Sequence, residues 1–418
     1  MIRAASILLF LVITPTRGLG DWPQFRGPTG QGVSLAKGLP LTWSDKDNIA
    51  WKTLIPGEGW SSPVIRGEQI WLTSALDRGK SLRAICVACG SGKIIHDVEV
   101  FTPARPVGIE KKGSHAAPTP VLEEGRLYVH FGTMGTACVD TTSGKVLWRF
   151  TDFEKLRFGE TASSPVVFDD RVLLHFDGPK EPFVAALDKA TGQLAWKRLR
   201  SVPLRDNTLN HRAFATPLVV PVGKAWQLIS PGPDQLHAYD PRTGNEIWHV
   251  RYKGFANVPR PLFADGRLFF CTGFGPPSEL WAMDITADCR GDITQTRVAW
   301  KYTRQIPTVP SPVLWKDRIY MASSQGIATC LDARTGKMIW QERLNGSSIS
   351  ASLTAVDDRL YLCDEEGATI VLETGDTFRV LARNTLPGRI FASLAIAGKA
   401  IFVRTEKHLY RIEAPKVR

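Results

Sequence analysis

The chain has 418 residues, 43% of them hydrophobic and 22% charged, a balance that suits a folded protein with a sizeable core and excludes a disordered or fibrous one. Its formal charge of +11 comes from Lys and Arg scattered among acids with no dense basic run, so the excess reads as a solvated surface and argues against nucleic acid as a partner. The 36 Gly and 28 Pro fit many short strands joined by many turns.

Residues 1–20 read as an export signal. Arg3 precedes the apolar run Ala4 to Ile13, and the small-residue step Gly18-Leu19-Gly20 follows. The run is too short for a stable membrane anchor. The first Cys is Cys86, so no lipid-bearing Cys follows the signal. The expectation is a soluble exported protein, periplasmic or extracellular, monomeric, not a lipoprotein and without a transmembrane segment once the signal is removed. Residues 21–47 then form an N-terminal extension and residues 48–414 the repeat domain.

Two strings alternate along that domain. The first is a Ser/Thr-Pro-apolar step leading into a short strand: Ser62-Pro63-Val64, Thr119-Pro120-Val121, Ser164-Pro165-Val166, Thr216-Pro217-Leu218, Arg260-Pro261-Leu262 and Ser311-Pro312-Val313. Ser352-Leu353-Thr354 and Ser393-Leu394-Ala395 are degenerate copies. Strands such as Arg126-Leu127-Tyr128-Val129 follow, and they read as alternating, half-buried strands. The second string is small-apolar-Asp-x-x-Thr/Ser-Gly-x-x-x-Trp, complete from Cys138 to Trp148, Ala186 to Trp196, Ala238 to Trp248 and Cys330 to Trp340. The Asp can accept from turn amides, Gly takes the positive-φ position, and the Trp needs a large apolar slot.

Eight copies, roughly forty to fifty-seven residues apart, each with room for four short strands, predict an all-β, eight-bladed β-propeller. The docking residues are Trp51, Trp148, Trp196, Trp248, Trp300 and Trp340. The last unit ends without its Trp strand, and Asn48 to Lys52 is a Trp strand without a unit, so the N-terminal strand is expected to seal the ring. The first repeat departs from the pattern, with Ala88 for the Asp and His96 for the Trp. In the fifth, Asp284 and Trp300 are separated by a loop holding Asp288, Cys289 and Asp292. A further loop, Arg105 to Gly113, carries Glu110, Lys111 and Lys112. Long loops on a rigid ring are where recognition usually sits.

The seven cysteines are mostly small strand residues. Cys86, Cys138 and Cys330 fill the slot of Ala186, Ala238 and Ala282, and Cys271 and Cys363 fill that of Ala322. Only Cys89 and Cys289 fall outside these slots, and Cys86-x-x-Cys89 lacks the second pair of a metal or redox motif. The odd count leaves any disulfide open. No metal-binding, phosphate-binding or nucleophile-elbow motif is present, and no metal site is expected.

Positions before the Pro step should lie near the ring axis. Five residues before it the chain carries Glu58, His115, Glu160, Arg212 and Arg389, and Arg260 interrupts an otherwise uniform Ser/Thr column one residue before it. These six and Trp60, as a stacking surface, are the candidate ligand-binding mouth. Its guanidiniums favour an anionic or carboxylate-bearing ligand.

The Asp-x-x-Thr-Gly-x-x-x-Trp repeats, from about Trp51 to Glu413, resemble the tryptophan-docking motif of pyrroloquinoline-quinone-type propellers, the quinoprotein alcohol dehydrogenase-like fold. The opening Asp21-Trp22-Pro23-Gln24-Phe25-Arg26-Gly27 is similar to that of exported quinoprotein-like repeat proteins of unassigned function. The resemblance implies either a non-catalytic scaffold, like that of outer-membrane protein assembly, or a quinone-dependent dehydrogenase using calcium. No adjacent cysteines and no Cys-x-x-Cys-His haem attachment occur, and the quinone enzymes' catalytic Asp and calcium ligands find no matching positions. The expected function is therefore an exported scaffold, without catalysis or cofactor, binding a protein or small anionic ligand in the cell envelope. The alternative is a pyrroloquinoline-quinone- and calcium-dependent oxidoreductase. A polysaccharide lyase or hydrolase built on Glu58 and Glu160 is a third reading.

Overall fold

Eight sheets, each built on four antiparallel strands, follow one another along the chain, and two of them gain a fifth, parallel strand. The computed structural model describes residues 20–156, 159, 162–178, 181–207, 211–275 and 277–414. The export signal expected at residues 1–20 lies, but for Gly20, outside the described residues. Blades 1 to 7 span residues 64–101, 121–150, 166–199, 218–251, 262–302, 313–343 and 354–385. Blade 8 takes its three inner strands from residues 395–412 and its outermost from Ile49–Leu54, which pairs antiparallel with His408–Ile412. The two ends of the ring are thus stitched in one sheet, as the orphan Trp51 strand requires.

The repeat explains the blade. Asp140, Asp188 and Asp240 each accept backbone amides two and three residues on, and Asp332 accepts the one three on, as with Ser143 N at 2.7 Å and Thr191 N at 2.8 Å. The glycine that follows is left-handed, with φ +72° at Gly144 and +75° at Gly192. The small residue opening each string is the cross-strand partner of the docking residue: Cys138 faces Trp148, Ala186 faces Trp196, Ala282 faces Trp300 and Cys330 faces Trp340. A larger side chain there would displace the indole.

Four of the docking indoles lie on the turn glycine of the next blade. A Cβ on Gly192 would meet Trp148 at 2.5 Å, on Gly244 would meet Trp196 at 2.6 Å, on Gly336 would meet Trp300 at 2.6 Å and on Gly92 would meet Trp51 at 2.7 Å. Trp148 Nε1 donates to Lys189 O at 3.1 Å and Trp340 Nε1 to Gly375 O at 3.0 Å, both in the following blade. His96 replaces the Trp in blade 1 and packs the same way on Gly144. Trp248 is an exception. It is wholly buried, and its Nε1 donates to Gln227 of its own blade at 2.9 Å. The insertion in the fifth repeat adds Gly291–Asp292 as a parallel fifth strand beside it, where the next turn glycine would otherwise sit.

The second strand of each blade is not the half-buried strand that its sequence suggests. Leu127, Tyr128, Val129 and His130 are all buried, because neighbouring sheets cover both faces. Alternation belongs to the outermost strands, such as Ile49–Leu54 and Val298–Tyr302. The seven cysteines are free thiols, and all but Cys89 are buried. Burial pushes Cys86, Cys138, Cys271, Cys330 and Cys363 up to about 12, so they are inert packing residues.

The N-terminal extension runs beneath the ring rather than trailing from it. Trp22 bridges Ile65 in blade 1, Pro23 O accepts from Leu122 N in blade 2, and Gln31 Oε1 accepts from Phe263 N in blade 5. Val33–Ser34 then adds a parallel strand to the inner edge of blade 7. Trp43 stacks on Tyr361 before the chain enters blade 8.

Candidate functional site: an axial funnel

The Ser/Thr column forms a belt of hydrogen bonds around the axis. The amide of Ser62 donates to Thr119 Oγ1 at 2.9 Å, that of Thr119 to Ser164 Oγ at 2.9 Å, and that of Ser164 to Thr216 Oγ1 at 3.0 Å. The belt resumes from Arg260 N to Ser311 Oγ, Ser311 N to Ser352 Oγ and Ser352 N to Ser393 Oγ, at 3.0, 3.0 and 2.9 Å. Each hydroxyl satisfies an inner-strand amide that has no ladder partner, which is why a short hydroxyl recurs here.

Two residues earlier in every repeat stands the side chain that lines the axis. Trp60, Phe214 and Phe391 supply rings, Ala117, Ala162, Val258 and Val309 small apolar walls, and Ser350 a hydroxyl; together they enclose a funnel of about 370 Å³ above the belt. Trp60 stacks on Phe391 with ring centroids 4.5 Å apart. Sequence reasoning found Trp60 but missed the other seven. The signal was a column at a fixed offset before the Pro step, overlooked because it carries no charge.

The floor is Phe25, held by two buried guanidiniums. Arg260 Nη1 donates to Phe25 O at 2.7 Å and its Nε to Pro217 O at 3.1 Å. Arg26 donates to Gln31 O, Pro312 O and Ser311 O at 2.6, 2.6 and 3.1 Å. Neither is paired with a carboxylate among the described residues. Burial pushes Arg260 down to about 9, and burial together with the neighbouring Arg260 brings Arg26 to about 9 as well. Arg260 therefore does not open into the mouth, as its break in the column suggested. It is 2% exposed and clamps the N-terminal segment below.

The residues five before the Pro step surround the funnel instead of lining it. Glu58 pairs its backbone with Ala75, and His115 Nε2 lies 2.8 Å from Val107 O; both line a shallow pocket of about 220 Å³ at the rim. Arg212 is paired with Glu110 at 3.4 Å. Arg389 is paired with Glu406 at 3.0 Å and lies over Phe391. Glu160 falls outside the described residues. The five described polar positions therefore do not converge, because the chain reaches the axis only as it approaches the inner strand.

The loop 105–113 crosses the mouth as a strap. Trp60 Nε1 donates to Lys112 O and Gly113 O, both at 3.1 Å, and Lys112 Nζ reaches Glu365 of blade 7 at 2.7 Å. Glu365 also accepts from Ser350 Oγ at 2.7 Å. Glu110 and Lys112, both on the strap, are the ionisable side chains among the described funnel lining. A calcium-held quinone needs several carboxylate or amide oxygens on the metal. The described lining offers hydroxyls and hydrocarbon at that depth, so its residues do not fit such a group.

Fold and funnel together define an eight-bladed propeller of the pyrroloquinoline-quinone-like repeat class. The family described as outer membrane protein assembly factor BamB matches residues 66–219 and 180–414, and the chain belongs to that family. The assembly factor BamB of Shewanella oneidensis is 21% identical over 299 residues, 67% of this chain and 71% of that protein. Among solved structures, BamB from Moraxella catarrhalis superposes with a TM-score of 0.60 at 14% identity, covering 87% of this chain and 99% of that one. A europium-containing methanol dehydrogenase superposes with a TM-score of 0.67 at 12% identity, covering 93% and 89%. At these identities the structural likeness is one of fold. No helix of the described residues is long and apolar enough to cross a membrane.

Proposed function

We propose that this protein is an exported propeller scaffold that holds a partner protein in the cell envelope, with no catalysis of its own. The axial funnel carries the reading. It is a rigid, apolar, ring-lined recess with a hydroxyl belt at its base, and its aromatic walls suit an inserted side chain. The two uncompensated guanidiniums beneath the floor favour a carboxylate-bearing ligand over a cationic one. Membership of a family named for outer membrane protein assembly supports a protein as the occupant. Release of the Lys112–Glu365 clasp would open the mouth without disturbing the ring.

The test is photo-crosslinking in the cell envelope from a reactive residue at position 391, inside the funnel. A defined protein adduct is expected there, weakened by Trp60→Ala, and absent from a probe at exposed Leu147 on an outer strand. Equal adducts at both positions would reject the funnel as the site. The quinone-dependent reading rests on likeness of fold, and reconstitution with quinone and calcium is expected to give no dye reduction with alcohols.

A further inference from the structure

The outer half of blade 4 holds a cluster that the funnel does not use. His237, on strand Gln235–Tyr239, faces His249 directly across the antiparallel ladder to strand Glu246–Arg251. Glu246 and His249 are three apart, so a regular strand would put them on opposite faces. The register shifts by one residue between Ala238 and Tyr239, and that bulge changes the parity and brings Glu246 to the histidines' side. One ligand atom from each of the three lies within 4.8 Å of the others. His237 Nδ1 is 3.3 Å from Glu246 Oε2, and His249 Nδ1 is 2.8 Å from Glu246 Oε1.

The hydrogen-bond network fixes the tautomer of His237. The Gln235 amide nitrogen donates to Val202 O at 3.2 Å and Pro233 O at 3.1 Å, so its oxygen is the atom turned to His237 Nε2, at 2.6 Å. Nε2 therefore carries the proton and Nδ1 presents a lone pair. That lone pair is fully buried, has no hydrogen-bond partner among the described residues, and is directed at a carboxylate. Two acceptors so placed repel unless a positive centre sits between them. Gln235 stands where an orienting acceptor stands behind a metal-bound imidazole.

We propose that His237 Nδ1, Glu246 and His249 form a binding site for a divalent transition-metal ion of the zinc class. Two imidazoles and one carboxylate are a borderline donor set that suits zinc, and three protein ligands leave a fourth position for water or an added donor. Asp292, whose Oδ2 is 3.7 Å from His249 Nε2, lies behind the site on the inserted fifth strand and is also paired with Arg251 at 3.1 Å. Arg200, the other nearby cation, is neutralised by Asp177 at 2.6 Å. The ion would tie the two outer strands of blade 4 together, beside the one docking tryptophan that lacks a neighbour's turn.

The experiment titrates the metal-stripped protein with Co²⁺ and then Zn²⁺, by absorption and calorimetry. One Co²⁺ per chain is expected, with visible bands of a four- or five-coordinate site that Zn²⁺ abolishes. Glu246→Gln and His249→Ala should each weaken binding at least about tenfold, and Asp288→Asn, in the exposed part of the same insertion, should leave it unchanged. Far-UV spectra establish that the variants fold. Absence of saturable binding in the unmodified protein, or wild-type affinity in both ligand variants, would overturn the assignment.

Discussion

Gly192 lies flat against the indole of Trp148, so close that a methyl group on its Cα would fall 2.5 Å from the ring. The glycine also has φ +75°, so two separate penalties meet at one atom. Gly192→Ala is expected to lose about 2 kcal/mol or more, of which roughly 1 is backbone strain and the rest overlap with the indole. In a Trp148→Ala background the overlap vanishes and the loss should fall to about 1 kcal/mol. Urea unfolding of the four proteins of this cycle measures the difference. Additive losses would show that the indole does not rest on that glycine.

Arg260 holds the N-terminal segment through carbonyls alone. Arg260→Met leaves Phe25 O and Pro217 O without a donor, and about 2–4 kcal/mol should be lost. The sharper readout is local. Arg26 is buried, and trypsin should cleave after it in the variant well before the ring unfolds. Removing residues 21–53 entirely should leave blade 8 one strand short and prone to aggregate. A soluble truncation that melts cooperatively would contradict both the clamp and the seal.

His130 is buried against Phe176, with Nδ1 2.9 Å from Thr136 Oγ1, and burial lowers it from 6.5 to about 3. Burial, with Arg200 as a second cause, also holds His175 well below its ordinary value. Between pH 6.5 and about 3 the unfolded chain binds a proton at position 130 that the native chain refuses. Stability is therefore complete above 6.5 and declines as the pH falls, by about 1.4 kcal/mol per unit for each such histidine. His130→Gln should flatten the slope by that amount in urea titrations between pH 6 and 4.5. An unchanged slope would place a proton on the native imidazole.

The Lys112–Glu365 clasp is half exposed and should contribute less than about 1 kcal/mol to global stability. Its effect is on the strap. Glu365→Gln should raise hydrogen exchange across residues 105–113 while leaving the unfolding midpoint within error, and added salt should do the same to the unmodified protein. Exchange that stays slow in the variant would mean that the Trp60 indole alone holds the strap.

The ring was readable because its devices are periodic. Trp51 without a unit and a last unit without a Trp foretold their pairing, and the Asp, Gly and Trp of each string do what their chemistry suggests. The funnel was only half readable. Attention to charge drew out Glu58, His115, Arg212 and Arg389, whose side chains stand at the rim, while the lining column of Ala, Val, Phe and Ser carried no charge to mark it. Arg260 was singled out for the right anomaly and the wrong direction, since a sequence does not say whether a guanidinium points up or down an axis. The His237 cluster was invisible because its geometry depends on one bulged residue. That bulge reverses the facing of Glu246, and no residue pattern announces it.

Because Ile49–Leu54 belongs to the same sheet as His408–Ile412, the first four-strand-blade segment made waits for the last. A growing chain can assemble blade after blade, yet its earliest hydrophobic strand stays unpaired until synthesis is nearly over. The sequence separation of that contact makes it the slowest to find by chance. Meanwhile the segment before it gains anchors on blades 1, 2, 5, 6 and 7 in turn, and each new anchor shortens the search for the final one.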